Sequence, residues 1–361
     1  MTKQWVLVTA DGPQLRDPLV AIRALADGGY RPAVAVSCGS SIATSSRHCL
    51  RRVDVPSCDD PGFPSAIREE LSSRPYLTVL PASEVALLAL GVSATHLVDK
   101  VELGRVAEAA GIPSPPSRVF GSAEELLDAA PQLEYPVIVK PAVHRSNAAW
   151  VDSPALLARA VSQDGPVIVQ PYMEDLNAIS GIVWRGRLVA AVHERWLRIW
   201  KYRCGVASAA ESIEPDPERE ERMLRVLDGY QGYFHAQFAG PYLLDLNLRV
   251  HTSHPLAQAS GVNLVAVYCD LLNGLDVPTM RGRPGVFFRW LEGDLRHVAK
   301  AVRMRHMTAG SAIRALRPRR NAAHSTESLR DPRPMMSRIR YVAGLGLQSL
   351  FRRGSGRDDL R

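Results

Sequence analysis

Along the first ninety residues, apolar positions come in short unbroken runs separated by amphipathic stretches, the pattern of buried parallel strands joined by helices. Residues 5–9, 33–37 and 77–80 read as strands, and residues 17–27 as a helix closed by Gly28 and Gly29. This predicts a small doubly wound βαβ unit over residues 1–93. Its first turn, TADGPQ, holds one glycine and a proline. A dinucleotide loop needs GxGxxG for close backbone approach to a pyrophosphate, so the unit reads as structural.

The pattern then changes. Residues 94–110 are helical in period, and GIPSPP (111–116) stops them ahead of a strand at 117–120. Ser122 caps a helix with Glu124 and Glu125 in its first turn. Strand 137–140, helix 154–161 and strand 167–170 follow. Runs 178–183 and 188–192 flank Trp184-Arg185-Gly186-Arg187 as a hairpin. A polar helix at 217–229 precedes strands at 234–238 and 242–246. Antiparallel pairs after such alternation predict α+β lobes around a cleft over residues 94–280. From 281 to 361 the expectation is a helical extension: an Arg-rich helical stretch at 289–320, a polar linker at 321–328, and a helix at 335–351. That last helix puts Met336, Ile339, Ala343, Leu347 and Leu350 on one stripe, with Arg338, Arg340, Arg352 and Arg353 outside it.

Composition narrows the class. Hydrophobic residues at 46% and charged residues at 22% suit a globular chain. No run approaches the ~18 apolar residues of a membrane span. The opening MTKQWVLVTADG turns polar after one short apolar run, unlike a secretory signal, so a cytoplasmic location is expected. Cys38, Cys49, Cys58, Cys204 and Cys269 are scattered without a CxxC pair and read as free thiols. Residues 281–361 carry 19 Lys+Arg and 6 Asp+Glu, a surplus of +13 against a chain total of +7, which leaves residues 1–280 at −6. The basic tail lacks the aromatic interleaving of a nucleic-acid stacking surface, so no specific nucleic acid is expected. Its amphipathic stretch at 335–353 instead suits a peripheral contact with an anionic membrane, or packing back onto the body of the protein.

Four blocks in order carry a resemblance. Asp99-Lys100 is followed by AEAAGIPSPPS; YPVIVKP spans 135–141; VIVQPY spans 167–172; LLDLNLRV (243–250) is followed by AQASGVNL. Over about residues 5–275 the chain resembles the ATP-grasp superfamily, in its carbamoyl-phosphate-synthase-like and biotin-carboxylase-like branch of carboxylate–amine ligases. The resemblance implies an ATP-grasp fold with an N-terminal Rossmann-like domain, a lobe at 136–175 covering the nucleotide, and a basic helical C-terminal extension. It implies ATP and Mg2+ as cofactors, with small-molecule carboxylate and amine substrates.

Residue by residue, Lys100 and Lys140 would neutralise the triphosphate. Gln170 and Tyr172 fall on the strand that holds adenine, and Asn177 stands where a ribose-binding glutamate is usual. Asp245 and Asn247 alternate on one strand face and, with Gln237, would offer magnesium hard oxygen ligands. Arg249 would meet phosphate oxygens as ATP is cleaved. The chain also departs from the pattern. Residues 142–149 contain no glycine where a glycine-rich loop covers the phosphates, so His144, Arg145 and Ser146 would contribute side chains instead. Asp245 replaces glutamate, and Leu248 replaces proline. These departures leave a second reading open, a degenerate ATP-grasp nucleotide-binding or scaffold protein without ligase activity. His193–Arg198 and 201–203 fall where relatives position substrate, or form a charged exposed loop. His251 and His254 read as polar packing positions.

Overall fold

The computed structural model describes residues 4–91, 94–143, 148–161 and 165–352. The first unit is a parallel sheet in the order β3-β2-β1-β4, built from β1 (Trp5–Ala10), β2 (Arg31–Val36), β3 (Arg51–Asp54) and β4 (Tyr76–Leu80). Helices α1 (Asp17–Asp27), α2 (Phe63–Ser72) and α3 (Glu84–Ala89) accompany it. Val6 and Val8 pack with Leu19, Ile22 and Leu25 of α1, while Leu7 turns the other way onto Phe63 and Ile67 of α2. Cover on both faces is why β1 reads as an unbroken apolar run. The sequence reading missed β3, whose residues are Arg-Arg-Val-Asp and mark an edge.

A short linker brings in α4 (Lys100–Ala109). A four-stranded antiparallel sheet then forms in the order β5-β8-β6-β7, from β5 (Arg118–Phe120), β6 (Val137–Pro141), β7 (Ala149–Val151) and β8 (Val167–Pro171). Helices α5 (Ala123–Asp128) and α6 (Pro154–Ala160) cover it through Leu126 and Leu157.

The largest sheet runs β13-β12-β9-β10-β11-β15-β16. Its strands are β9 (Leu176–Trp184), β10 (Arg187–Trp200), β11 (Val206–Ile213), β12 (Gly232–Ala239), β13 (Tyr242–Asn247), the short β14 (Met280–Arg281) beside β10, β15 (Phe287–Arg289) and β16 (Ala323–His324). Helices α7 (Pro217–Val226), α8 (His254–Ala259) and α9 (Leu264–Leu272) follow its hairpins. Gly28 lets α1 approach α9 closely, because a Cβ there would sit 2.6 Å from the Ala266 methyl.

Three sequence expectations change here. The stretch 193–200 is not an exposed loop: β10 is 14 residues long and pairs with β11, and His193 and Glu194 are buried. Nor is the segment after 281 helical throughout, since β15 pairs with β11 and β16 with β15 in the central sheet. Helices α10 (Leu291–Arg303), α11 (Ala309–Leu316) and α12 (Pro332–Arg352) make up its helical part. The stretch 321–328 is no solvated linker either, because Ser325 and Thr326 are buried. Arg16 Nη1 donates to Ser325 Oγ at 3.1 Å, and Asp331 accepts from Arg23 Nε at 3.0 Å and Ser46 Oγ at 2.6 Å. Satisfied polar contacts of this kind make burial of a hydrophilic segment tolerable. Among the described residues, no helix is long and apolar enough to cross a membrane.

Candidate functional site

A cleft of about 420 Å3 is lined by residues of β6 and β8 on one side and of β10 and β13 on the other. Three segments distant in sequence meet at its polar end. Lys100 opens α4, whose cap Asp99 accepts from Val101 N at 2.8 Å. Lys100 N donates to Ala142 O at 3.0 Å, which ties the helix to the end of β6. From β6, Lys140 donates Nζ to Leu244 O at 3.1 Å. On β13, Asp245 forms an ion pair with Lys100 Nζ at 3.0 Å. Asn247, two residues along, donates Nδ2 to Asp245 Oδ2 at 3.3 Å. Gln237 stands opposite Asp245 in the β12–β13 ladder.

Electrostatics follow from burial and neighbours. Burial lowers the Lys140 pKa to about 8; Asp245 opposes the shift and Lys100 adds to it. Burial also acts on Lys100, but Asp245 and Glu84 outweigh it and raise its pKa. The two lysines therefore differ in their hold on a proton. Arg249 also lines the cleft, and its Nη1 donates to Asp17 Oδ1 of α1 at 2.9 Å. That ion pair pins the guanidinium, so part of its donor capacity is already committed.

Next to these groups the wall turns apolar through Ile138, Met173, Leu176 and Leu244, with Tyr172 and Gln170 beside them. Gln170 Nε2 is held by Ser117 Oγ at 2.8 Å. Asn177 is not among the lining residues. Strand alternation turns it away from the face of Leu176, and it accepts from Arg219 Nη1 and donates to Asp175 O instead. His144, Arg145 and Ser146 lie outside the described residues.

The motif blocks do not mark a tryptophan-rich part of the same cleft. Trp196 and Trp200 of β10 and Trp290 ahead of α10 line it with His251. Trp196 Nε1 donates to Glu194 Oε1 at 2.8 Å, and Ser253 Oγ donates to the same oxygen at 3.0 Å. Burial pushes the Glu194 pKa up to about 7 against these two donors. His251 Nδ1 lies 3.1 Å from Ser253 Oγ, and its ring stacks on His235 at 3.8 Å between centroids. Burial, then His235 and Arg249, hold His251 well below its ordinary pKa, so it is neutral near pH 7. The expectation of a packing role thus covers part of its position only. The available signal was the recurrence of tryptophan four residues apart in a strand too polar to read as one.

Among the described residues, no three His, Cys, Asp or Glu side chains gather to hold a metal. One carboxylate with neighbouring amides is nonetheless a donor set that suits magnesium, which keeps waters and takes phosphate oxygens as its other ligands.

No protein-family model matches the chain. It is 26% identical over 194 residues, 48% of its length, to the carbamoyl phosphate synthase large chain of Pyrococcus furiosus. That stretch is 18% of the relative, so the chain spans under a fifth of it. An L-amino acid ligase from Bacillus licheniformis superposes with TM-score 0.54 at 16% identity, covering 75% of this chain and 74% of the ligase. The biotin carboxylase domain of a Hydrogenobacter thermophilus 2-oxoglutarate carboxylase, in complex with MgADP and bicarbonate, superposes with TM-score 0.56 at 17% identity, covering 80% and 74%. The fold of the chain is the ATP-grasp fold.

Proposed function

We propose that this ATP-grasp chain is a ligase that uses ATP to activate a carboxylate and joins it to an amine. The observation that carries the reading is the meeting of Lys100, Lys140, Asp245, Asn247 and Gln237 in one cleft of about 420 Å3 that also has an apolar wall. Lys100 and Lys140 neutralise a triphosphate, and the apolar wall with Tyr172 receives the base. Asp245, with the amide oxygens of Gln237 and Asn247, would hold magnesium, which when bound supplies charge neutralisation at the phosphates. The bound nucleotides of solved relatives with this fold support the assignment.

A substrate carboxylate oxygen attacks the γ-phosphorus, the bond to the ADP oxygen breaks, and an acyl phosphate forms. An amine nitrogen then adds to the acyl carbon, phosphate leaves with the bonding electrons, and the nitrogen loses a proton. The protein's part is positioning and electrostatic stabilisation, with no covalent nucleophile. The proposed units are residues 1–93 and residues 94–280 with a covering lobe at 136–175; residues 281–361 extend the central sheet of the second unit through β15 and β16. ADP release on incubation with a panel of acids and amines tests the reading, and release that depends on both co-substrates is expected.

A second reading, a nucleotide-binding scaffold, draws on the ion pairs that neutralise Asp245 and Arg249 internally. It predicts MgADP binding with no acid-dependent turnover. We also propose a peripheral contact with anionic membranes through α12, whose Met336, Ile339 and Ala343 are exposed beside Arg340. Leu347 and Leu350 of that stripe, and Arg352 and Arg353 outside it, lie beyond the described side chains.

A further inference from the structure

One part of the cleft's lining, rich in tryptophan, has a character that phosphate binding does not explain. Trp196, Trp200 and Trp290 line it together with Ile199 and Val206. Bulges in the β10–β11 ladder restore the register between Trp196, opposite Ala210, and Trp200, opposite Val206. Small residues on β11 therefore face the indoles, and Ala207, Ala210 and Phe288 complete an apolar floor beneath them.

Two of the rings are fixed in place. Trp196 is anchored through Nε1 to buried Glu194. Trp290 is clamped between elements, with the Arg16 guanidinium 3.5 Å from its ring centroid and its ring against Gly293, where a Cβ would come within 2.3 Å. Rigid aromatic walls select by shape at small entropic cost, because little side-chain freedom remains to be lost on binding.

Charge decides what such a site takes. The cleft's lining contains Lys100, Lys140, Lys201, Arg203 and Arg249 against the single carboxylate Asp245. A cation is repelled there, whereas an anion is drawn in. Arg203 is itself oriented, its guanidinium lying over Trp150 at 4.8 Å and Tyr172 at 5.5 Å.

We propose that this tryptophan-lined part of the cleft is the acid subsite and that the acid activated is a carboxylic acid with a planar aromatic body. The body lies among the three indoles and the carboxylate points toward Arg249 and the phosphate-binding lysines. Bicarbonate or a short aliphatic acid would leave the indoles unfilled. The inference rests on the ligase reading, and its test separates the two.

Calorimetric titration of the full chain with acetate, phenylacetate and indole-3-acetate, each with and without MgADP, is the experiment. Indole-3-acetate should bind at least about tenfold more tightly than acetate, the smallest gain expected from burying an aromatic group. Trp290→Leu and Trp196→Leu should each remove most of that preference while binding MgADP as the parent does. The preference series on the parent protein stands even if a variant fails to fold. Equal affinity for all three acids, with MgADP still bound, overturns the subsite and leaves the nucleotide site standing. Binding of the aromatic acid without any binding of MgADP supports the subsite and sinks the ligase reading. Failure to bind either overturns both.

Discussion

Asp245 Oδ1 lies 3.0 Å from Lys100 Nζ, so a strand residue of the second hairpin and the first residue of a helix 145 positions earlier neutralise each other at the cleft. Loss of either partner is felt twice, in the site and in the fold. Asp245→Asn keeps the shape and removes the charge, so ADP release should fall by roughly a hundredfold or more, with a melting temperature lowered less than by Asp245→Ala because the amide oxygen can still accept from Lys100. Asp245→Ala leaves Lys100 buried without its carboxylate and should cost about 1–3 kcal/mol besides. Lys140→Ala should match Asp245→Asn in turnover. Turnover above a tenth of the parent's in either variant removes this assignment.

The depressed pKa of Lys140 gives nucleotide affinity a pH dependence. Phosphates bind the protonated amine, which the free protein loses as pH rises through about 8. MgADP affinity should therefore fall above pH 8 and recover below it, with a proton taken up on binding. Lys140→Arg keeps its charge and should push the decline to higher pH. A flat profile in the parent between pH 7 and 9.5 would count against a role for Lys140 in phosphate binding.

Glu194 gives stability, rather than nucleotide affinity, a pH dependence. Its folded pKa of about 7 stands above its ordinary value of 4.5. The folded state therefore holds the proton longer, and this contribution to stability is full below pH 4.5 and lost as pH rises through 7. Glu194→Gln mimics the protonated acid, so its stability relative to the parent should improve progressively between pH 4.5 and 7.5. Denaturant unfolding across that range measures the difference, and a constant difference would show that Glu194 does not titrate there.

Asp331 joins the last part of the chain to the first. It accepts from Arg23, from Ser46 Oγ and from Arg47 N at 3.0 Å while nearly fully buried. Asp331→Ala strands the Arg23 charge and should destabilise by about 3–5 kcal/mol. A melting temperature within a degree or two of the parent's would mean that this segment detaches readily.

For α12, the exposed positions supply a test that spares the rest of the fold. Met336→Ser with Ile339→Ser should leave the melting temperature unchanged, since both side chains are solvent-facing. The double variant should lose co-sedimentation with vesicles rich in phosphatidylserine. Removing the whole helix is a poorer test, because Arg338 pairs with Glu292 at 2.6 Å and its loss would disturb α10. Equal sedimentation of parent and double variant would overturn the membrane contact.

The sequence by itself determined the elements whose pattern repeats locally. The β1 run, the α1 helix and the Ser122 cap with its acidic first turn are legible because strand and helix periodicity and capping act over a few residues. The motif blocks likewise marked Lys100, Lys140, Asp245, Asn247 and Arg249, and the resemblance added Gln237 on the strand before the last block, all of which reach one cleft. What the pattern could not show depends on contacts distant in sequence. Strand β10 continues through His193–Trp200 because β11 and buried partners such as Ser253 satisfy its polar groups. The hydrophilic stretch after 321 is buried because Arg16 and Arg23, some three hundred residues earlier, supply its hydrogen bonds. Asn177 misses the cleft because strand alternation sets its face, and the three tryptophans line one cleft because β10 and the segment ahead of α10 fold onto it. Local propensity acts through near neighbours, whereas burial and charge compensation are set by the partners that folding brings close, and those are absent from any short window of sequence.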